Sequence, residues 1–209
     1  MTNVAVIYYS SQGNVHKLAV AAAAAAEKAG AEVRLRRTAE LTSESVVPGN
    51  DRWNKAWAEH LESVKDIPEA TLEDLEWADA VLWGTPGRYG LPAASLKQFI
   101  DLTLPLHSRR GLVNKVMSSF TSTATLHGGQ ESTILALNNA FYHWGAIIVP
   151  PGVADPVQLA PTNGNPYGVS SVSRNEAGNV DEDNLAAIEY QARRTVEIAT
   201  ALRRGLQSA

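Results

Sequence analysis

Val4-Ala5-Val6-Ile7-Tyr8-Tyr9 runs directly into Ser10-Ser11-Gln12-Gly13-Asn14, and a helix-forming stretch follows from Val15 to about Ala29. The first segment is apolar, β-branched and aromatic, as a buried strand requires, and the second is a short polar loop. The third carries Ala21 to Ala26, a run with strong helix propensity and room for close backbone packing, and Gly30 caps its end. Strand, loop and helix in this order open a parallel α/β sheet. Glu32-Val33-Arg34-Leu35 then alternates as a second strand.

The unit repeats along the chain. Asp79-Ala80-Val81-Leu82-Trp83-Gly84 is a third strand, with the loop Thr85 to Gly90 and a helix from about Pro92 to Leu104 after it, the proline favouring the first helical turn. Lys115 to Thr121 is a fourth strand, followed by the loop Ser122 to Gly129 and a helix from Gln130 to Tyr142. Ala146 to Val149 is a fifth. A loop rich in Pro, Gly and Asn extends to Asn184, before a last amphipathic helix. Continuous apolar strands alternating with helices predict α/β architecture: a flavodoxin-like, doubly wound five-stranded parallel sheet of order 2-1-3-4-5 with helices on both faces. One domain over residues 1–209 is expected, with an insertion at about 38–76 and a carboxyl-terminal helix at about 185–206. Trp53, Trp57, Leu61 and Val64 in the insertion have helical spacing and are read as a helix packing on its own domain or on a neighbouring subunit.

Composition narrows the chemistry. The 209 residues are 44% apolar and 19% charged, with 18 basic against 22 acidic side chains and a net charge of −4. That balance argues against a nucleic-acid footprint. The chain has no cysteine, which excludes disulfides, thiol nucleophiles and cysteine metal sites, so any redox chemistry needs a cofactor. The five histidines have no metal-ligand spacing, and no metal site is expected. His16 and His60 are read as surface residues. The amino terminus lacks a basic segment ahead of its short apolar run, and no run approaches the ~18 residues of a membrane span, so a cytoplasmic protein is expected.

In an open parallel sheet ligands sit beyond the carboxyl ends of the strands, where strand order reverses. The loops there are Ser10 to Val15, Thr85 to Gly90 and Ser122 to Gly129, rich in hydroxyls and glycine and without an acid. Amides and hydroxyls at a helix start hold phosphate without needing Lys or Arg. A plain helix cap is the alternative for the first loop. No Walker P-loop is present, and Gly84, Gly87 and Gly90 have the wrong spacing for a dinucleotide turn.

Tyr8 to Asn14, Gly84 to Gly90, Gly128-Gly129-Gln130-Glu131, His143-Trp144-Gly145 and Asn165-Pro166-Tyr167-Gly168 together resemble WrbA-type flavodoxin-like NAD(P)H:quinone oxidoreductases. The likeness spans nearly the whole chain. It implies a tetrameric enzyme that binds FMN, takes hydride from NADH or NADPH and passes two electrons to a quinone. By position, Ser10, Gln12, Gly13, Asn14 and Val15 would cradle the FMN phosphate. Thr85, Pro86, Gly87, Arg88, Tyr89 and Gly90 would line the isoalloxazine, and Ser122, Thr123, Ala124, Thr125 and Gly128 would form the loop beside ribityl and ring. His143 matches a histidine near the flavin pyrimidine edge and is the candidate catalytic group. The chain departs from the family pattern at Ala124 to Gly128, Gly87, Gln12 and His107. Gln12 and His107 replace aromatic residues and are therefore the expected substrate-selecting positions. An FMN-binding electron carrier and a flavin-free interaction module on the same fold are the alternatives.

Overall fold

A computed structural model describes residues 1–41 and 49–207. Residues 42–48 of the expected insertion lie outside the described residues. The elements are β1 (Thr2–Tyr8), α1 (Asn14–Lys28), β2 (Ala31–Arg37), α2 (Asp51–Ser63), α3 (Leu72–Trp77), β3 (Ala80–Arg88), β4 (Leu91–Pro92), α4 (Ala94–Asp101), α5 (Leu104–Ser108), β5 (Val116–Thr123), α6 (Gln130–Trp144), β6 (Ile147–Ile148), β7 (Ser170–Val172) and α7 (Glu182–Gln207).

The parallel path runs β2-β1-β3-β5-β6. Counted as the five strands read from sequence, this is the expected order 2-1-3-4-5. Side chains alternate across each strand, and the core divides accordingly. Val4, Val6, Tyr8, Leu82 and Phe120 pack under α1 and α7. Ala5, Ile7, Val81, Trp83 and Met117 pack under α3 to α6, where Trp83, Phe141 and Trp144 form a cluster with ring centres 5.5–5.8 Å apart. Both faces are thus covered, and the polar ends of the strands are left as the place for a ligand.

Three local expectations change. Thr85 to Arg88 is not loop but the end of β3, which turns at Tyr89 and Gly90 into an antiparallel pairing with β4. Tyr89 and Gly90 have φ of 55° and 77°, the two left-handed residues of a tight hairpin turn. Pro92 accordingly lies in β4, and the helix starts at Ala94 and stops at Asp101 before the separate α5. The fifth strand is split: β6 pairs with Val116 and Met117, whereas β7 pairs with Thr121 to Thr123. Between them the Gln191 side chain of α7 takes the place of a strand, accepting from the Val169 amide and donating to the Ser119 carbonyl, both at 2.7 Å. Gly168 is required there, since a Cβ would stand 2.1 Å from the Ser119 oxygen.

The insertion is tied to the sheet by charge. Asp74, almost fully buried, accepts from Arg34 at 3.1 Å and Arg36 at 3.0 Å while closing a capping box with Thr71 at the start of α3. Burial alone would raise the Asp74 carboxyl; the Thr71 amide and the two guanidinium groups outweigh it and hold the group below its ordinary range.

Candidate flavin and acceptor site

The α1 loop is built to leave donors free. Helix α1 begins after Gly13 at φ 89°, has no side-chain cap and carries no acid in its first turn. Its first amides therefore have no intrahelical acceptor. Two pins hold the loop: the Gly178 amide donates to the Gln12 carbonyl at 2.8 Å, and the buried Asn14 side chain donates to the Glu176 and Asn179 carbonyls, both at 2.9 Å. Asn14 thus has its side-chain amide committed to the fold, and its contribution to a ligand is its backbone.

A pocket of about 350 Å³ opens beside this loop. Ser10, Ser11, Gln12, Asn14 and Val15 form one side, Pro86 and Arg88 the end of β3, and Ser122, Thr123 and Ala124 the end of β5. Asn50, Arg52, Trp53 and Ala56 from α2, and Ser173, Asn175 and Ala177 after β7, complete it. Hydroxyls, amides and open helix-start donors without a carboxylate suit a phosphorylated, polyhydroxylated ligand, and FMN fits that donor set.

A second and more apolar pocket of about 960 Å³ lies between α4, α5 and α6. Tyr9, Glu40, Arg88, Leu91, His107 and His143 are among its walls. Arg88 is common to both pockets, and its guanidinium donates to Ser11 Oγ at 2.9 Å. Burial lowers the Arg88 pKa, opposed by Tyr9, Tyr89 and Glu40. Glu40 is a further group the sequence reading did not single out: it accepts from Tyr9 Oη at 2.9 Å and from Trp57 Nε1 at 3.0 Å. Burial and the adjacent Glu40 carboxylate raise the Tyr9 hydroxyl well above its usual range, so Tyr9 remains a donor.

Of the residues expected to contact cofactor, Ser10, Gln12, Asn14, Val15, Pro86, Arg88, Ser122, Thr123 and Ala124 come together in the first pocket. Gly13, Thr85, Gly87, Tyr89, Gly90, Thr125 and Gly128 do not line it. Thr85 is 0% exposed and instead accepts from the Ala93 amide at 2.9 Å, fixing the β3–β4 hairpin. Tyr89 stands fully in solvent at the turn. Gly87 and Gly128 make room for Thr123, which a Cβ on either would meet at 2.7 Å or less. His143 and His107 line the second pocket, so His143 is set apart from the α1 loop within one chain.

His16 and His60 are not the free surface residues expected. Each is half-buried, their rings 5.4 Å apart beneath the α1 loop, and His16 Nδ1 bonds Tyr8 Oη at 2.7 Å. Burial lowers both pKa values, that of His60 to about 4, with His16 adding to the effect and a hydrogen bond with the Ser10 backbone opposing it. The wall supplied by α2 could be suspected from Trp53 and Trp57, but its placement over the loop is a long-range contact that no local pattern carries.

Sheet order, an uncapped loop at the reversal point and an acid-free pocket define the flavodoxin-like class of proteins. A family model described as NADPH-dependent FMN reductase matches residues 2–158. The chain belongs to that family. It is 40% identical over 198 residues to a Deinococcus radiodurans protein named NAD(P)H dehydrogenase (quinone), with 95% of this chain and 96% of that protein covered. A Sinorhizobium fredii protein of the same name is 40% identical over 206 residues, covering 97% and 99%. Among solved structures, a flavodoxin, WrbA-like protein from Agrobacterium tumefaciens superposes with a TM-score of 0.63 at 20% identity, covering 96% of this chain and 99% of that one. These relatives bear out the WrbA-type resemblance read from the loops.

Proposed function

We propose that the protein catalyses the two-electron reduction of quinones by NADH or NADPH through FMN held in the first pocket. The observation that carries this reading is the adjacency of two chemically different pockets sharing Arg88: one polar and acid-free, the other large and apolar. FMN, when bound, supplies hydride acceptance and two-electron delivery. The chain's own work is binding, orientation and charge compensation. Amides and hydroxyls of Ser10, Gln12, Asn14 and Val15 hold the phosphate, with Gly13 setting the turn between them, while Pro86, Arg88, Ser122, Thr123 and Ala124 flank the rest of the cofactor. Gly87 and Gly128 act by letting Thr123 approach, and Thr85, Tyr89, Gly90 and Thr125 by shaping the adjoining turns. The apolar pocket receives nicotinamide and quinone in turn. Its His107 and His143, on two different helices, can donate to carbonyl oxygens where negative charge develops. His107 selects among acceptors from within the apolar pocket, and Gln12 from the cofactor side, where it lines the first pocket.

The whole chain is read as one domain, since both helical layers pack on one sheet. The homotetramer implied by the family resemblance needs subunit contacts, and the exposed Leu91 and Leu104 at the apolar pocket offer a surface that another copy would cover. Cytoplasmic placement rests on the family resemblance. No helix among the described residues is long and apolar enough to cross a membrane.

The test is anaerobic mixing of FMN-loaded protein with each nicotinamide, then with benzoquinone. Bleaching of the flavin absorbance within seconds and its return on adding quinone are expected. Failure of both NADH and NADPH to bleach it refutes the reductase.

A further inference from the structure

We propose that Arg52, on the first turn of the insertion helix α2, is the cation that binds the phosphomonoester of the flavin from the α2 side of the first pocket. This rests on the reading of the first pocket as the FMN site.

Amides and hydroxyls at a helix start hold a phosphate without a cation, but the charge balance of this pocket leaves a place for one. A phosphomonoester carries about −1.5 to −2 at neutral pH, whereas a helix start offers the equivalent of about +0.5. The loop from Ser10 to Val15 contains no Lys or Arg. One of its side-chain donors is committed as well: the Asn14 amide, to the Glu176 and Asn179 carbonyls. The pocket lining has two charged residues, Arg52 and Arg88, and no carboxylate. Arg88 is engaged by Ser11 and lies beside Tyr9 and Glu40. Arg52 makes no ion pair or hydrogen bond among the described residues, and its side chain is exposed at the pocket rim.

Its position is fixed by the rest of α2. Arg52, Ala56 and His60 recur at intervals of four and so lie along one helix face. At the far end of that face His60 packs on His16, and its Nδ1 stands 3.5 Å from where a Cβ on Gly13 would be. Trp57, next to Ala56, is anchored through Nε1 to Glu40, and Asn50 caps the helix by accepting from the Trp53 amide at 3.0 Å. The helix is therefore anchored to the loop through His60 and to Glu40 through Trp57, and the guanidinium at its start lines the same pocket. A planar five-donor fork suits a phosphate dianion better than an ammonium would.

The experiment is titration of flavin-free protein with FMN and with riboflavin, read by quenching of flavin fluorescence. The unaltered protein is expected to bind FMN in preference to riboflavin. Arg52→Gln is expected to raise the FMN Kd about tenfold, or about 1.4 kcal/mol, while leaving riboflavin binding unchanged, with Arg52→Lys between the two. Raising ionic strength should weaken FMN binding more in the unaltered protein than in Arg52→Gln. Lys28→Gln makes the same charge change at the other end of α1, ~20 Å away, and should leave FMN binding as it is. Absence of FMN binding by the unaltered protein would sink the functional reading itself. FMN binding that Arg52→Gln does not weaken, or that Lys28→Gln weakens equally, overturns the assignment of Arg52 and leaves that reading intact. Unchanged FMN affinity with slowed flavin reduction by NADPH but not by NADH overturns it too, moving Arg52 to the phosphate of the nicotinamide donor.

Discussion

Mild acid should loosen this protein through His60. In the folded chain burial, then the neighbouring His16, lower its pKa from 6.5 to about 4. Between those values the unfolded chain binds a proton that the folded chain refuses, so stability falls as pH falls. The contribution of the neutral ring is intact above pH 6.5 and is lost progressively down to about pH 4. A gap of about 2.5 pH units sets a ceiling near 3 kcal/mol; water reaching the half-buried ring reduces this to about 2 kcal/mol. For a chain of this length that is roughly 4–8 °C in Tm. The assay is urea unfolding at pH 7.5 and pH 4.5 for the unaltered protein and for His60→Gln, which cannot titrate there. Carboxylate effects common to both cancel in the difference, and the unaltered protein should lose about 2 kcal/mol more than the variant. Parallel pH profiles would refute the reasoning.

Other perturbations follow from the same contacts. Gly84→Ala would place a methyl 2.5 Å from the Phe120 ring and 2.9 Å from Val15 Cγ1; overpacking of about 1–3 kcal/mol is expected in thermal unfolding, with weaker FMN binding because Val15 lies in the first turn of α1. Gly13→Ala at φ 89° should cost about 1–2 kcal/mol and raise the FMN Kd, since a Cβ strains the left-handed residue that sets the loop. Glu40→Ala strands the Tyr9 hydroxyl and Trp57 indole donors; a loss of about 2–3 kcal/mol is expected in urea unfolding, together with a Tyr9 pKa, followed by absorbance titration, that drops toward its normal value.

The fold was readable because its signals are local. Val4 to Tyr9, Val81 to Gly84 and the stretch from Lys115 are continuous apolar strands, each followed by a loop and a helix, and that grammar leads to the parallel order found. Where it failed, pairing partners lay far apart in sequence. Ser170 to Val172 is too short and polar to read as a strand, and it becomes one because Thr121 to Thr123 offer an open edge. Thr85 to Arg88 reads as loop through its proline and glycine, yet the tight turn at Tyr89 and Gly90 folds β4 back onto it.

The site divides in the same way. By itself the sequence determined the hydroxyl-rich loops, the lack of thiols and the family they belong to, because those depend on residue type and on order along the chain. Only the tertiary structure decided that Arg52 shares a pocket with Ser10, that His16 and His60 meet beside the α1 loop, and that His143 lines a second, apolar cavity. Those juxtapositions arise from where the insertion helix α2 and the last turn of α6 dock. Docking is settled by long-range packing and buried charge, which leave no periodic trace in the chain.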